Sequence, residues 1–159
     1  MATVLKPESR NSQLLLRPFR PADFETLCRI DQECFPPGIA YSPVELAYYV
    51  NRRGAITLIG ERDGAIAGFL VAGSRRGRGH IGTIDVLPAA RRTGLGSQLI
   101  TAAEKRLRTA GCSSVSLETA VDNHAALAFY KRHGYSVVGT IPRYYQNSLD
   151  ALRMEKQLA

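Results

Sequence analysis

The sequence predicts one α/β domain: a mixed central sheet of about seven strands flanked by about four helices, in the order β-α-α-β-β-β-α-β-α-β-β. Three observations predict it. A chain of 159 residues is one domain by length, and its 45% hydrophobic and 22% charged content suits a globular core. Short apolar runs of strand length alternate with stretches of helical periodicity. The early strands are joined by a tight Asp63-Gly64 turn, which makes that part of the sheet antiparallel.

Each element has a local reason. Residues 1–12 are polar and irregular and read as a flexible tail, leaving 13–159 as the domain. "LLLRP" at 14–18 is a short strand. "PADFETLCRIDQECF" sets Phe24, Leu27, Ile30 and Cys34 at helical spacing. "FPPGIAY" at 35–41 is a stiff loop. The second helix starts at Ser42, with Pro43 in its first turn and Glu45 completing a capping box. "AITLIGERDGAIAGFLVAGS" is a hairpin, "RRGRGH" at 75–80 the next turn, and "IGTIDVL" the strand after it. A helix runs from Gly94 to about Ala110 and stops at Gly111. "SSVSLET" is a strand, "NHAALAFYKRHG" a helix ended by Gly134, and "YSVVGTI" and "ALRMEKQL" the last two strands.

Composition narrows the function classes. No apolar run approaches the ~20 residues of a membrane span and the first residues lack a signal-peptide core, so a cytoplasmic location is expected. Cys28, Cys34 and Cys112 fit neither a disulfide framework nor a zinc site and read as reduced thiols, Cys28 and Cys34 as small helix side chains and Cys112 with no base nearby in sequence. His80 in a turn, His124 at a helix start and His133 near a helix end have no metal-ligand spacing, so no metal is expected; at a helix end His133 would favour its charged form. The formal net charge is +7, and between Val71 and Gly111 eight Lys/Arg face two acids. Such a field attracts nucleic acid, acidic protein or a polyphosphate cofactor alike.

The segment "VLPAARRTGLGSQLITAAEKRL" (86–107) gives that charge a use. Arg91, Arg92, Gly94 and Gly96 stand where a helix begins, and a helix begins with N–H groups that have no internal partner and a positive dipole end. Glycines bare those amides to a ligand, an arrangement suited to phosphate. No Gly-x-x-x-x-Gly-Lys-Ser/Thr string is present, which excludes a P-loop. A dinucleotide fingerprint fails because Leu99 takes the third glycine's place and the fold opens with hairpins.

"R-R-T-G-L-G" from Arg91 and "N-H-A-A-L-A-F-Y-K-R-H-G-Y" from Asn123 to Tyr135, in this order, resemble the GNAT superfamily of acetyl-CoA-dependent N-acetyltransferases. The likeness covers the chain from about Leu14 to its end. Within the superfamily "IDVLPAARRTGLG", "SLETAVDNHAALAFY" and "PRYYQNSLDALRME" are most similar to the RimI-type ribosomal-protein-alanine N-terminal acetyltransferases, although "FPPGIAYSPVELAYYV" departs from their Trp-Ser loop. The resemblance implies acetyl-CoA as cosubstrate and direct transfer in a ternary complex, most simply to the α-amino group of a protein N-terminus, a ribosomal protein included. A small-molecule amine or amino acid is the alternative acceptor. A basic RNA-associated module without catalysis is a rival of another class, to which the "RRGRGH" segment would belong if it were more than a charged turn.

The resemblance also implies roles. The amides of Arg92, Thr93, Gly94, Leu95, Gly96 and Ser97, with Arg91 beside them, would hold the pyrophosphate. Ile84, Asp85 and Val86 would meet the pantetheine along a strand that splays from its parallel neighbour, one amide polarising the thioester. Asn123 would be a CoA ligand, or simply a helix cap. Glu118, where a strand exposes Ser116 and Glu118 on the face opposite Val115 and Leu117, would deprotonate the amine, whose pKa lies near ~8. Its alternative is a surface or ion-paired glutamate. Tyr130, with an ordinary pKa near ~10, would protonate the leaving thiolate, or else pack in the core beside Phe129. Tyr144 and Tyr145 would cover the acceptor together with the loop containing Phe35, Pro36 and Tyr41.

Overall fold

Seven strands and four helices follow one another in the expected order in the computed structural model, which describes residues 13 to 158. The expected tail over 1–12 lies outside the described residues. The strands are β1 (Leu14–Pro18), β2 (Ala55–Arg62), β3 (Ala65–Arg75), β4 (Arg78–Val86), β5 (Ser114–Ala120), β6 (Ser136–Ile141) and β7 (Ala151–Gln157). The helices are α1 (Phe24–Cys34), α2 (Pro43–Asn51), α3 (Leu95–Thr109) and α4 (His124–Arg132). Among the described residues no helix is long and apolar enough to cross a membrane.

Local chemistry accounts for the boundaries. Ser42 accepts from the Glu45 amide while the Glu45 carboxylate accepts from the Ser42 amide, so the capping box forms as expected. Asn123 accepts from the Ala126 amide and caps α4. The β2–β3 turn needs two left-handed residues, and Asp63 and Gly64 supply them. One turn is shorter than expected. β3 runs through Arg75 and β4 starts at Arg78, so only Arg76 and Gly77 turn and His80 lies inside a strand.

The sheet order is β1-β2-β3-β4-β5-β7-β6, antiparallel throughout except for β4 and β5. Two apolar layers sit on its two faces. On one, the α3 stripe Leu95, Leu99, Ile100, Ala103 and Leu107 is sealed against Leu58, Leu70, Ile81, Val115 and Leu117. Fully burying a leucine or isoleucine contributes ~1.5–3 kcal/mol, so this stripe fixes α3 on the sheet. On the other face Leu27 and Ile30 of α1 and Leu46 and Val50 of α2 pack on Ile59, Phe69 and Val71.

Two irregularities place the site. β4 pairs with β5 only from Arg78↔Ser114 to Ile81↔Leu117, and the strands then part. At the same point the β3–β4 register slips between Val71 and Ala72, leaving Gly82 of β4 as a bulge. A one-residue slip exchanges the faces of every later side chain. Before it Ile81 points to the α3 layer and His80 to the other face; after it Ile84 and Val86 pack toward α3, while Thr83 and Asp85 are buried opposite Val71 and Phe69.

Candidate active site

The parting of β4 and β5 opens a cleft of about 1180 Å³ that runs from the α3 N-terminus to the loops after α1 and β6. At its phosphate end Gly94 is the N-cap of α3, in the left-handed region at φ 89°, and no side chain caps the helix. Its first-turn amides therefore keep their donor capacity toward the cleft. Gly96 matters differently: a Cβ there would meet the Phe129 ring at 3.3 Å, so the glycine lets α4 close on α3. Arg91, Arg92, Gly94, Gly96, Ser97 and Asn123 line this end, whereas Thr93, Leu95 and Asp85 do not. Thr93 donates its hydroxyl to the Ala90 carbonyl and Leu95 is sealed in the core. Arg91 folds back to donate from Nε to the Val86 carbonyl.

His133 differs from the expectation of a charged helix-end residue. Burial lowers its pKa, and its Nε2 lies 3.0 Å from the Ser97 hydroxyl, so the neutral ring ties the end of α4 to the start of α3.

In the middle of the cleft Ile84 and Val86 on β4 face Thr119 and Ala120 on β5 across unpaired backbone. The splay that the family resemblance implies is thus present. Glu118 stands at its fork, with Oε2 accepting from His80 Nε2 at 2.6 Å. The pair arises because His80 on β4 is level with Ser116 on β5 and shares its face, with Glu118 the next residue along that face. The sequence reading missed His80 because the pairing partner is 38 residues away and depends on parallel register.

Tyr130 reaches the cleft from α4, with its ring edge-on to Phe129 and Tyr135. Desolvation, then Asp85 and Tyr145, raise its pKa above the ordinary phenol value that the sequence suggested, so the hydroxyl keeps its proton. Cys34 also lines the cleft. Burial and then Asp85 push its pKa to about 11, and its Sγ donates to the Val86 carbonyl, so it is a thiol and not a ready nucleophile.

The opposite end is built from two loops that meet. Phe35, Pro36 and Tyr41 come from the α1–α2 loop, and Tyr144 and Tyr145 from the β6–β7 loop. The Gln146 amide donates to the Gly38 carbonyl, and Gly38, at φ 90°, leaves no room for a side chain against Asn147. Tyr41 donates its hydroxyl to the Gly82 carbonyl at the bulge. Tyr144 and Tyr145 stack edge-on with centroids 4.9 Å apart, and the Glu118 carboxylate contributes to raising both phenol pKa values, behind desolvation. All the acceptor-side residues expected from the sequence therefore surround one opening beside Glu118. Among the described residues no group of His, Cys, Asp and Glu is disposed to hold a metal ion.

The acetyltransferase (GNAT) family model matches residues 24–135. The N-alpha-acetyltransferase MAK3 of Arabidopsis thaliana is 33% identical over 130 residues, which cover 79% of this chain and 67% of that protein. Ard1 from Thermoplasma volcanium superposes with a TM-score of 0.84 at 28% identity, covering 92% of this chain and 98% of that one. A chain of the NatC complex bound to Gag peptide and CoA gives 0.79 at 25% identity, covering 92% and 99%. The ribosomal-protein-S18-alanine N-acetyltransferase from Escherichia coli shares the fold, with a TM-score of 0.83 at 21% identity over 92% and 95%.

Proposed function

Because this chain belongs to the acetyltransferase (GNAT) family and is an acetyl-CoA-dependent N-acetyltransferase, we propose that its acceptor is the α-amino group of a protein N-terminus, with a ribosomal protein as one candidate. The observation that carries the reading is the bridged pair of loops beside Glu118, whose opening is lined by the aromatic rings of Phe35, Tyr41, Tyr144 and Tyr145. The relative named an N-alpha-acetyltransferase and the structural neighbour holding both a peptide and CoA support it.

Acetyl-CoA supplies the acetyl group as an activated thioester. The residues present fit it: the uncapped α3 amides and Arg92 suit the pyrophosphate, and the unpaired edge of β4 from Ile84 to Val86 suits the pantetheine amides. Glu118 takes the proton of the acceptor ammonium, directly or through one water, and His80 orients its carboxylate by occupying Oε2. The neutral nitrogen then bonds to the carbonyl carbon as the carbon–sulfur bond breaks, and the second proton that the nitrogen loses replaces the one that Tyr130 gives up. Tyr130, held protonated by burial, supplies a proton to the departing sulfur. Direct transfer is the route proposed; the thiol of the cleft cysteine donates to the Val86 carbonyl, and burial holds its proton.

Thiol release from acetyl-CoA against a panel of N-terminal peptides, polyamines and free amino acids tests the proposal. Turnover with one or more peptides, at kcat/KM well above that of the small amines, is expected. Turnover confined to a polyamine or free amino acid would overturn it.

A further inference from the structure

A buried acidic cluster outside this chemistry lies under the acceptor loop. Asp31 of α1 and Asp85 of β4 are 1% and 0% exposed. The bulge at Gly82 is what turns Asp85 onto the α1 face. Asp31 Oδ2 accepts the Tyr41 backbone N–H at 2.7 Å, and Asp85 Oδ1 accepts the Thr83 hydroxyl at 2.5 Å. The remaining oxygens, Asp31 Oδ1 and Asp85 Oδ2, are both buried without a hydrogen-bond partner, and the Asp31 side chain is near enough to raise the Asp85 pKa.

No Lys or Arg forms a salt bridge with either acid among the described residues. Titratable groups near them include Cys28 and Cys34 from α1, Tyr41 from the loop and Tyr130 from α4. Arg91 donates from Nε to the Val86 carbonyl instead. Two adjacent buried carboxylates cannot both ionise, whereas one proton between them satisfies both stranded oxygens and halves the buried charge.

We propose that Asp31 and Asp85 share one proton, and that this pair is a positioning element that pins the 35–41 acceptor loop to the cofactor strand. The loop's role rests on the acceptor reading above; the proton and the pinning do not. Asp31 holds the loop by the Tyr41 amide, and Tyr41 holds β4 by its hydroxyl. The shared proton closes the ring from α1 back to β4. Burial first, and Asp31 second, keep the Asp85 carboxyl protonated well above the usual carboxylate range. Loss of that proton at alkaline pH would set two anions against each other and loosen the loop.

The test compares Asp31→Asn with Asp31→Ala. The asparagine keeps an acceptor for the Tyr41 amide, donates N–H to Asp85 and carries the same net charge as the half-protonated pair. The alanine does none of these. Asp31→Ala is expected to raise the acceptor KM about tenfold, the scale of one unsatisfied buried hydrogen bond, with acetyl-CoA affinity changed much less. Asp31→Asn should return KM to within about threefold of the parent. Two readouts do not need activity. Amide exchange at Tyr41 should accelerate in the alanine variant and not in the asparagine one. The infrared carbonyl band of a protonated carboxylic acid should be present in the parent at neutral pH and change in frequency or intensity in Asp31→Asn. A parent without that band, or an asparagine variant that exchanges Tyr41 as fast as the alanine one, overturns the proposal. If no peptide is acetylated by the parent, the acceptor reading fails, while exchange and infrared still decide the pair.

Discussion

At the scale of single residues, burial bears on the different roles that the sequence suggests for three groups of the cleft. Glu118, Tyr130 and Cys34 all line one cleft, but burial affects the two acids among them that could lose a proton as nucleophile or leaving-group partner. The tyrosine is kept protonated and the cysteine is kept as thiol, so neither serves as the base in the proposed reaction, the role given there to Glu118. Glu118→Gln should keep acetyl-CoA binding and lower kcat ~10²-fold or more, most severely at low pH, where the amine is mostly protonated. A pH–rate profile from about pH 6 to 9 checks this; turnover within about threefold of the parent throughout would place the base elsewhere. Tyr130→Phe removes one oxygen and keeps the ring against Phe129 and Tyr135. It should cut kcat by ~10²–10⁴ with little change in thermal midpoint. Unchanged kcat with a lowered midpoint would make Tyr130 a packing residue.

At the scale of elements, two close approaches divide cofactor from acceptor. Gly96 lies between α3 and the Phe129 ring of α4. Gly96→Asp puts a carboxylate beside the phosphate end and crowds that ring. Calorimetry should show acetyl-CoA affinity falling at least tenfold, or ~1.4 kcal/mol, in a variant whose circular dichroism matches the parent. Gly38 lies between the two acceptor loops, with a left-handed backbone and Asn147 Cβ 2.9 Å from where its own Cβ would stand. Gly38→Ala should cost ~1–3 kcal/mol of local strain and raise the peptide KM, while acetyl-CoA affinity stays within about twofold. Equal loss of both affinities would mean that the loops and the phosphate end do not act as separate elements.

At the scale of the whole molecule, the first strand is tied to the α1 layer by charge. Arg17 on β1 donates to both Asp23 oxygens, and also to Glu61 on β2. The Arg17 hydrogen bond is the main cause that lowers the Asp23 pKa below the ordinary carboxylate value. A depressed folded-state pKa contributes stability that is present above the unfolded value near ~3.9 and is lost as pH falls through the folded one. Arg17→Met should therefore lower the thermal midpoint at neutral pH, by the equivalent of ~1.5–3 kcal/mol for a charged hydrogen-bond pair. The parent and variant curves should converge in acid. A constant difference across the acid range would assign the loss to packing of the arginine stem instead.

Much of this was legible in the chain because its causes are local. The Ser42–Glu45 box, the Asp63-Gly64 turn, the Gly94 and Gly111 ends of α3 and the Asn123 cap each act over a few residues, so order, element type and the phosphate loop follow from spacing. The alternation of Val115 and Leu117 with Ser116 and Glu118 already sets the face of the candidate base. The tertiary structure alone decided which groups share a face across strands. His80 meets Glu118 only through the parallel register of β4 with β5, and Asp85 meets Asp31 only because the bulge at Gly82 reverses the faces of β4. Period-two alternation says which side chains of one strand point together, but not which side they take after a slip. That choice belongs to the pairing of β4 with β3 and to the buried layer of Phe69 and Val71 against which it is made.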